Sequence, residues 1–310
     1  MNQPQDLLRQ KPLVDQYLSR QPRPLSSYHF AAIFAWQDFF DFEFTLINQH
    51  LCIFAYQNKN SFLYLPPLGE PLDLATLKEC FSAMGPSKIA RVENFSVNQL
   101  PLVRGGGYNV YAKAQEYVYR KSDLIALKGN AYKSKRHDHN FFTQHFKAEF
   151  EPYEERHYQG CLALYQRWAQ DRRQHSTDPV YQAMLEENAR VHALAIQYYR
   201  ELDLIGRVVT IDGQVAAYTF GYALDEHAFC VLFEIADAAK TGSAVYIFNC
   251  LCADTALKSF EYINAMDDFG MPNVAKAKES FHPVSKLPVY TVALSSSQFP
   301  PPCGEGQGGG

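Results

Sequence analysis

Carboxylates and small polar residues capable of group-transfer chemistry are concentrated in the second half of the sequence. One set follows a strand-like segment and precedes a helical pattern. It comprises Glu234, Asp237, Thr241, Gly242 and Ser243. Small residues let the backbone amides at the start of a helix approach a phosphate or another anion closely. The alternative is an ordinary helix start capped by the side chain of Thr241 or Ser243.

A second polar set follows the strand-like segment YINAM at residue 262. It comprises Asn264, Asp267, Asp268, Gly270, Lys276 and Lys278. Carboxylates and ammonium groups that face one another can orient an amine substrate and shift each other's pKa. The alternative is a surface network of ion pairs, so this cluster alone does not distinguish a site from a solvated surface.

A basic set lies at the start of a predicted helix over residues 131–146. Lys133, Lys135 and Arg136 can contact the phosphate groups of a nucleic acid or a lipid, and arginine is suited to bidentate contacts. An exposed basic helix face is the alternative. The neighbouring His137 and His139 lack the i, i+4 spacing of a helical zinc pair, so we expect no metal site here.

Several catalytic motifs do not occur in the sequence. There is no GxSxG elbow, no recognisable catalytic cysteine motif, no Walker loop and no dinucleotide fingerprint. These absences argue against serine or cysteine nucleophiles, ATPases and dehydrogenases. Direct group transfer between two bound substrates is the enzyme class that the remaining residues support best.

The order of predicted elements indicates two domains of mixed α/β structure. A chain of 310 residues exceeds the usual size of one hydrophobic core. Residues 42–65 predict an antiparallel meander, followed by a helix from about residue 74 and a strand from Lys88. The second half repeats this outline, with a hairpin at Asp212-Gly213, a helix over residues 243–258 and strands near 262 and 287.

The predicted boundaries follow from these patterns. A helical lead-in at 1–25 precedes a first domain at 26–130 and a second domain at 131–295. Residues 296–310 have almost no apolar content and predict a disordered tail. The glycines at 105–107 predict a loop, because the strand and helix that a phosphate-binding loop requires are not apparent beside them.

Composition limits the location and the partners of the chain. The formal net charge of -4 argues against a general electrostatic attraction for nucleic acid, although a local basic patch remains compatible with it. The seven cysteines are odd in number and lack CxxC spacing, which is typical of buried thiols in a reducing compartment. Without a signal-peptide pattern or an apolar run of roughly 18 residues, we expect a cytoplasmic protein with no integral membrane association.

Two longer segments resemble a known bacterial family. They are YVYRKSDLIALKGNAYKSKRHDHNFF at 117–142 and YINAMDDFGMPNVAKAKESFHPVSKLPVY at 262–290. Together they are similar to the C-terminal domain of phosphatidylglycerol lysyltransferase in its free-standing form, from about residue 26 to 292. The residues that carry the resemblance are Tyr119, Asp123, Leu124, Gly129, Lys135, Arg136, Asn264, Asp268, Gly270, Lys276 and Lys278.

The resemblance implies a tandem of two acyltransferase folds of the GNAT type. It also implies transfer of an aminoacyl group from transfer RNA, or of an acyl group from acyl-coenzyme A, without a tightly bound cofactor. Asp268 or Glu234 would then hold the α-amine of the donor or act as general base. Arg136, Lys276 and Lys278 would neutralise phosphate, and Asp237, Asn264 and Lys135 would help to bind the substrate.

Two functions from different classes are compatible with this sequence. The first is an aminoacyl- or acyl-transferase whose acceptor is an amine or hydroxyl on a small molecule, a peptide or a lipid. Coenzyme A as donor predicts phosphate binding at Thr241–Ser243, whereas transfer RNA predicts a basic groove. The second is a non-catalytic protein that binds a small ligand or a partner with the same fold.

Overall fold

A computed structural model describes residues 3–69, 71–104 and 106–295. Its helices are α1 Pro4–Leu8, α2 Lys11–Leu18, α3 Phe30–Phe34, α4 Leu74–Ala83, α5 Leu100–Val103, α6 Lys121–Ala126, α7 Lys133–His145, α8 Tyr158–Gln174, α9 Pro179–Gln197, α10 Ser243–Ala253 and α11 Pro272–Glu279. The predicted tail at 296–310 lies outside the described residues, as does Gly105 of the predicted glycine loop.

The strands alternate with these helices along the chain. They are β1 Asp41–Ile47, β2 His50–Gln57, β3 Asn60–Leu63, β4 Val92–Ser96, β5 Tyr108–Arg120, β6 Ala148–Pro152, β7 Ile205–Ile211, β8 Gln214–Ala223, β9 Ala228–Ala236, β10 Tyr262–Asp267 and β11 Ser285–Leu294. The mixed α/β class predicted from the sequence is confirmed.

The chain divides into two compact units. Unit 1 contains the described residues up to Tyr117, the segment Asp267–Lys278 and the described residues after Ser285. Unit 2 contains Val118–Met266 and Glu279–Ser285. The domain boundary that we placed at residue 130 stays a prediction.

Unit 1 is built on strands in the order β1-β2-β3-β4-β11-β5. The predicted antiparallel meander is confirmed by the pairing of β1 with β2 and of β2 with β3. Its two turns, at Asn48-Gln49 and Asn58-Lys59, have positive φ angles at both central residues, as tight hairpins require. Strand β4 pairs in parallel with β3 through Leu63 and Val92, so β3, α4 and β4 form a β-α-β crossover.

Helix α4 exists because its apolar residues recur at helical spacing. Leu77, Cys80 and Phe81 are buried on one face and pack with Phe54 and Phe95 of the sheet. A stripe at i, i+3 and i+4 places these side chains on the same side of the helix. The helix predicted from about residue 74 is thus confirmed.

Unit 2 contains strands in the order β10-β9-β8-β7-β6. Neighbouring strands are antiparallel except β9 and β10, which are parallel. The hairpin predicted at Asp212-Gly213 is confirmed, since Ile211 pairs with Gln214. Helix α10 connects β9 to β10 as a second β-α-β crossover, and it packs with α7 over a core that includes Phe142 and Ile247.

Two element boundaries differ from the predictions. Helix α10 ends at Ala253 rather than at residue 258, because Asp254 is extended and its side chain accepts a hydrogen bond from the amide of Ala256 at 2.8 Å. That contact starts a separate short 3-10 helix, Thr255–Leu257. The strand predicted from Lys88 begins at Val92 and is the strand β4.

Candidate functional site

The turn between β9 and α10 determines the geometry of the site in unit 2. Gly242 is the N-cap of α10 and has a φ angle of 88°. A Cβ atom at this position would lie 2.1 Å from the carbonyl oxygen of Asp138 on α7. The backbone of α7 therefore contacts the turn so closely that only glycine fits there.

The start of α10 has no side-chain cap. The hydroxyl of Ser243 instead donates to the carbonyl oxygen of Asp237 at 2.9 Å, and the amide of Ser243 donates to the carbonyl oxygen of Lys240 at 2.9 Å. The expectation that Thr241 or Ser243 caps the helix is wrong. The next amides, of Ala244 and Val245, lie in the first turn, where a helix offers no acceptor.

The residues that carry these amides, Ala244 and Val245, line a cavity of about 310 Å³ in unit 2. The residues that line it are Asp138, Trp168, Arg172, Glu234, Ala236, Asp237, Ala238, Lys240, Thr241, Gly242, Ser243, Ala244 and Val245. The lining thus combines carboxylates, two cations, an indole and the positive end of a helix dipole. Such a mixture suits a substrate that carries both an ammonium and an anionic or polar carbonyl group.

Glu234 is the most perturbed acid of this lining. Its Oε2 atom is shielded from solvent and has no hydrogen-bond partner. Burial raises the pKa of Glu234 to about 8, and the nearby hydroxyl of Thr219 on β8 partly opposes this rise, although Oγ1 of Thr219 and Oε2 of Glu234 do not meet the geometry of a hydrogen bond in this structure. A carboxyl with this pKa exchanges its proton near neutral pH, which suits a general base.

Aromatic side chains accompany both cations of the lining. The guanidinium of Arg172 lies 5.5 Å from the ring centroid of Trp168. The ammonium of Lys240 lies 5.3 Å from the ring centroid of Phe146. Cation–π contacts of this kind limit the directions that each side chain samples.

Lys135 and Arg136 are not among the residues that line the cavity. The ammonium of Lys135 lies 3.9 Å from the ring centroid of Phe281, and burial lowers the pKa of Lys135. The guanidinium of Arg136 donates to the carbonyl oxygens of Leu127 and, at 2.7 Å, Gly129. These contacts hold the loop before α7, and the predicted phosphate contacts of both residues stay predictions.

The second polar set is divided between the units. In unit 2, Asn264 is buried and accepts a hydrogen bond from the amide of Met266 at 2.7 Å. In unit 1, Asp268 is buried and accepts from the hydroxyl of Tyr117 at 2.7 Å and from the amide of Gly270 at 3.0 Å. Its catalytic role stays a prediction.

The two lysines of this set differ in their surroundings. The ammonium of Lys278 donates to the carbonyl oxygen of Asp267 and lies 5.9 Å from the ring centroid of Tyr117. Lys276 is exposed on α11. Neither lysine is among the residues that line the cavity in unit 2.

Neither a metal-binding cluster nor a membrane-spanning helix is found among the described residues. No group of three or more histidine, cysteine, aspartate or glutamate side chains in that part of the chain is arranged to bind a metal ion. Among the same residues, no helix is both long enough and apolar enough to cross a membrane.

Comparison with known families gives a match over most of the chain. The family model described as phosphatidylglycerol lysyltransferase, C-terminal, matches residues 20–293. The chain belongs to this family. No curated protein sequence matches it significantly.

Solved structures agree with this family assignment. A conserved protein of unknown function from Bacteroides thetaiotaomicron has 23% identity and a TM-score of 0.81, over 93% of this chain and 97% of that one. The L-PGS structure from Bacillus licheniformis has 11% identity and a TM-score of 0.65, over 92% of each chain. The C-terminal domain of a putative lysylphosphatidylglycerol synthetase from Agrobacterium fabrum has 12% identity and a TM-score of 0.61, over 94% and 92%.

The family and these similar structures support the predicted fold. The predicted tandem of GNAT-type acyltransferase folds is confirmed, because each unit combines a largely antiparallel sheet with one parallel β-α-β crossover. This member of the phosphatidylglycerol lysyltransferase C-terminal family thus has an aminoacyltransferase-like architecture.

Sequence reasoning missed four polar or aromatic residues of the cavity in this family member, namely Asp138, Trp168, Arg172 and Lys240. Asp138 lies three residues after Lys135 on α7, within a basic stretch that predicted phosphate contacts rather than the lining of a cavity. Trp168 and Arg172 lie on α8, more than sixty residues before Glu234. Their i, i+4 spacing is a weak signal, because it occurs on many exposed helices.

Proposed function

We propose that this chain is an aminoacyltransferase, with aminoacyl-transfer RNA as donor, an amine or hydroxyl as acceptor and Glu234 as general base. The observation that carries the proposal is the solvent-shielded, unpartnered Oε2 atom of Glu234 beside a cavity that the uncapped start of α10 borders. A base and a set of oxyanion donors are the two components that acyl transfer requires.

The proposed reaction needs no covalent enzyme intermediate. Ionised Glu234 accepts the proton of the acceptor's ammonium or hydroxyl group, and the freed lone pair attacks the ester carbonyl carbon of the donor. The amides of Ala244 and Val245 stabilise the negative charge that develops on the carbonyl oxygen. The ester C–O bond then breaks, and the departing 3′ oxygen of the RNA takes the proton from Glu234. When the acceptor is an amine, its nitrogen releases one further proton to water to give the neutral amide product.

The choice of donor rests on family membership. The phosphatidylglycerol lysyltransferase family supports an aminoacyl donor. The open start of α10, next to Thr241 and Lys240, supports the alternative donor acyl-coenzyme A, whose pyrophosphate can accept hydrogen bonds from helix amides. Asp237 fits a structural role in this turn, because its side chain accepts from the amide of Ala239 at 2.9 Å.

A labelled-donor assay tests the proposal. The purified chain is incubated with transfer RNA charged with a mixture of radiolabelled amino acids, or with labelled acetyl-coenzyme A. Ethanolamine serves as acceptor because it offers both an amine and a hydroxyl, and its protonated amine requires a base. We expect aminoacyl-ethanolamine above the protein-free background, and its loss in Glu234→Gln. Glu226→Gln, which changes an exposed carboxylate of the same unit, is the matched control.

Other outcomes of the assay assign the chain differently. Acetyl transfer alone identifies acyl-coenzyme A as the donor. Transfer that Asp268→Asn abolishes while Glu234→Gln leaves it intact moves the role of base to Asp268. No transfer from either donor, in the presence of lipid and peptide acceptors as well, supports a non-catalytic binding protein.

A further inference from the structure

Two buried side-chain oxygens in unit 2 lie on residues that are paired across neighbouring strands. Thr219 on β8 is the register partner of Glu234 on β9. Neither Oγ1 of Thr219 nor Oε2 of Glu234 has a hydrogen-bond partner, and Thr219 is fully buried. An unsatisfied buried polar group costs about 1–3 kcal/mol, so such a pair requires an explanation.

We propose that Thr219 is the positioning residue for Glu234: its hydroxyl donates a hydrogen bond to Oε2 when the carboxylate is ionised, and this bond orients the base toward the cavity. The role of this hydrogen bond in catalysis rests on the proposed function. The hydrogen bond itself can be tested without any substrate.

The chemistry of the two groups explains why the bond belongs to the ionised state. A protonated carboxyl shares its oxygens with its own proton, whereas a carboxylate is purely an acceptor. A hydroxyl provides one donor, and Oγ1 of Thr219 has no competing partner. The pairing of β8 with β9 keeps the two residues directly opposite each other, which places their side chains on the same face of the sheet.

Other ionisable groups also surround Glu234 on several elements. Those that border the cavity or interact with Glu234 electrostatically are Asp138, Arg172, Asp237, Lys240 and Cys252. All of them are retained when only residue 219 changes. A difference between Thr219 variants therefore reports on the hydroxyl.

Threonine offers a matched pair of substitutions. Thr219→Val keeps the shape of the side chain and removes the hydroxyl. Thr219→Ser keeps the hydroxyl and removes a methyl group. The valine variant also removes an unsatisfied buried oxygen, so we expect it to fold, and melting temperatures verify this.

The direct test is a carboxyl titration by NMR on protein labelled with carbon-13 at the glutamate side chains. The Glu234 signal is assigned by its absence in Glu234→Gln. We expect Thr219→Val to raise the pKa of Glu234 by about 1 to 2 units, because a hydrogen bond to a charged group is lost. Thr219→Ser should stay within about half a unit of the wild type. An unchanged pKa in Thr219→Val overturns the proposal, and Thr219→Ala provides the same comparison if the valine variant does not fold.

The kinetic test uses the transfer reaction. In Thr219→Val the acidic limb of the pH–rate profile should move upward by the same amount, with roughly a 10- to 100-fold loss of kcat at pH 7 and an unchanged KM. A pKa shift without any transfer activity means that the proposed function fails and the positioning role stands. If transfer depends on Glu234 but Thr219→Val does not shift the pKa of Glu234, the proposed function stands and the positioning role of Thr219 fails.

Discussion

The two β-α-β crossovers of the molecule have the same local topology, but the helix of one is capped by a side chain and the helix of the other is not. In unit 1, α4 begins after Asp73, whose side chain accepts a hydrogen bond from the amide of Thr76 at 2.7 Å. In unit 2, α10 begins after Gly242, which offers no side chain. Unit 1 supplies its own anion at the helix start, whereas unit 2 leaves this position open to a ligand.

The strands that precede these two helices also differ in the polarity of the side chains near their ends. Strand β3 ends at the buried apolar residue Leu63, whereas β9 presents the carboxyl of Glu234 near its end. Capping and apolar burial stabilise the first crossover. The second crossover carries an unsatisfied carboxyl and an uncapped helix, two features that cost stability and are typical of functional sites.

The largest expected effect tests whether unit 2 is the catalytic half. Glu234→Gln should lower aminoacyl transfer by about 100- to 10,000-fold, because it removes the general base without a change in shape. Radiolabelled product formation measures this loss. Transfer at the wild-type rate would remove the functional distinction between the two crossovers.

The next effect concerns the glycine that leaves α10 open. Gly242→Ala should cost roughly 3 kcal/mol, because it combines a positive φ angle with a contact at 2.1 Å from the backbone of α7. Chemical denaturation measures the free energy of unfolding. Gly85 of unit 1 is the matched control, since its φ angle is 58° but nothing lies within 4 Å of an added Cβ. Equal costs for the two alanine variants would contradict the close approach of α7.

A third effect is the pH dependence of stability. The pKa of Glu234 is raised to about 8 in the folded protein, above its ordinary value. Its contribution to stability is therefore fully present below the ordinary carboxyl pKa and is lost as pH rises through 8. The wild type should lose roughly 2 kcal/mol over this range relative to Glu234→Gln, a value reduced for the partial exposure of the side chain. If the stability of the wild type and of Glu234→Gln changed with pH in parallel, the raised pKa of Glu234 would be contradicted.

The smallest expected effect concerns the side-chain cap of α4 in unit 1. Hydrogen bonds from Thr76 lower the pKa of Asp73, so the cap is most effective above the ordinary carboxyl pKa and weakens as pH falls. Asp73→Ala should lower Tm by less than Gly242→Ala does, and it should leave aminoacyl transfer unchanged. Thermal melts and the transfer assay measure the two results. A loss of transfer in Asp73→Ala would show that unit 1 also carries function.

Local patterns made much of the fold predictable. The turns at Asn48-Gln49 and Asp212-Gly213, and the stripe of Leu77 and Phe81, follow from residue preferences that act over a few positions. The premature end of α10 was not predictable from the apolar pattern, because one aspartate stops the helix by capping the turn that follows.

The site was predictable only in part, for a physical reason. Glu234 and the turn at 241–243 are close in sequence, so their shared cavity follows from one strand-turn-helix unit. Arg172 reaches the same cavity from α8 through tertiary packing, which spacing does not encode. The role of the Thr219 hydroxyl was equally unpredictable from the sequence. Threonine is common in strands, and only the register shows that Thr219 pairs with Glu234.

The position of β11 determines the order in which the molecule can be completed. This strand lies between β4 and β5 in unit 1, yet it is the last described strand of the chain. During synthesis, the first unit therefore waits for its interior strand until nearly all of the second unit has left the ribosome. Until then β4 has an unpaired edge, which exposes the nascent chain to mispairing and to capture by chaperones.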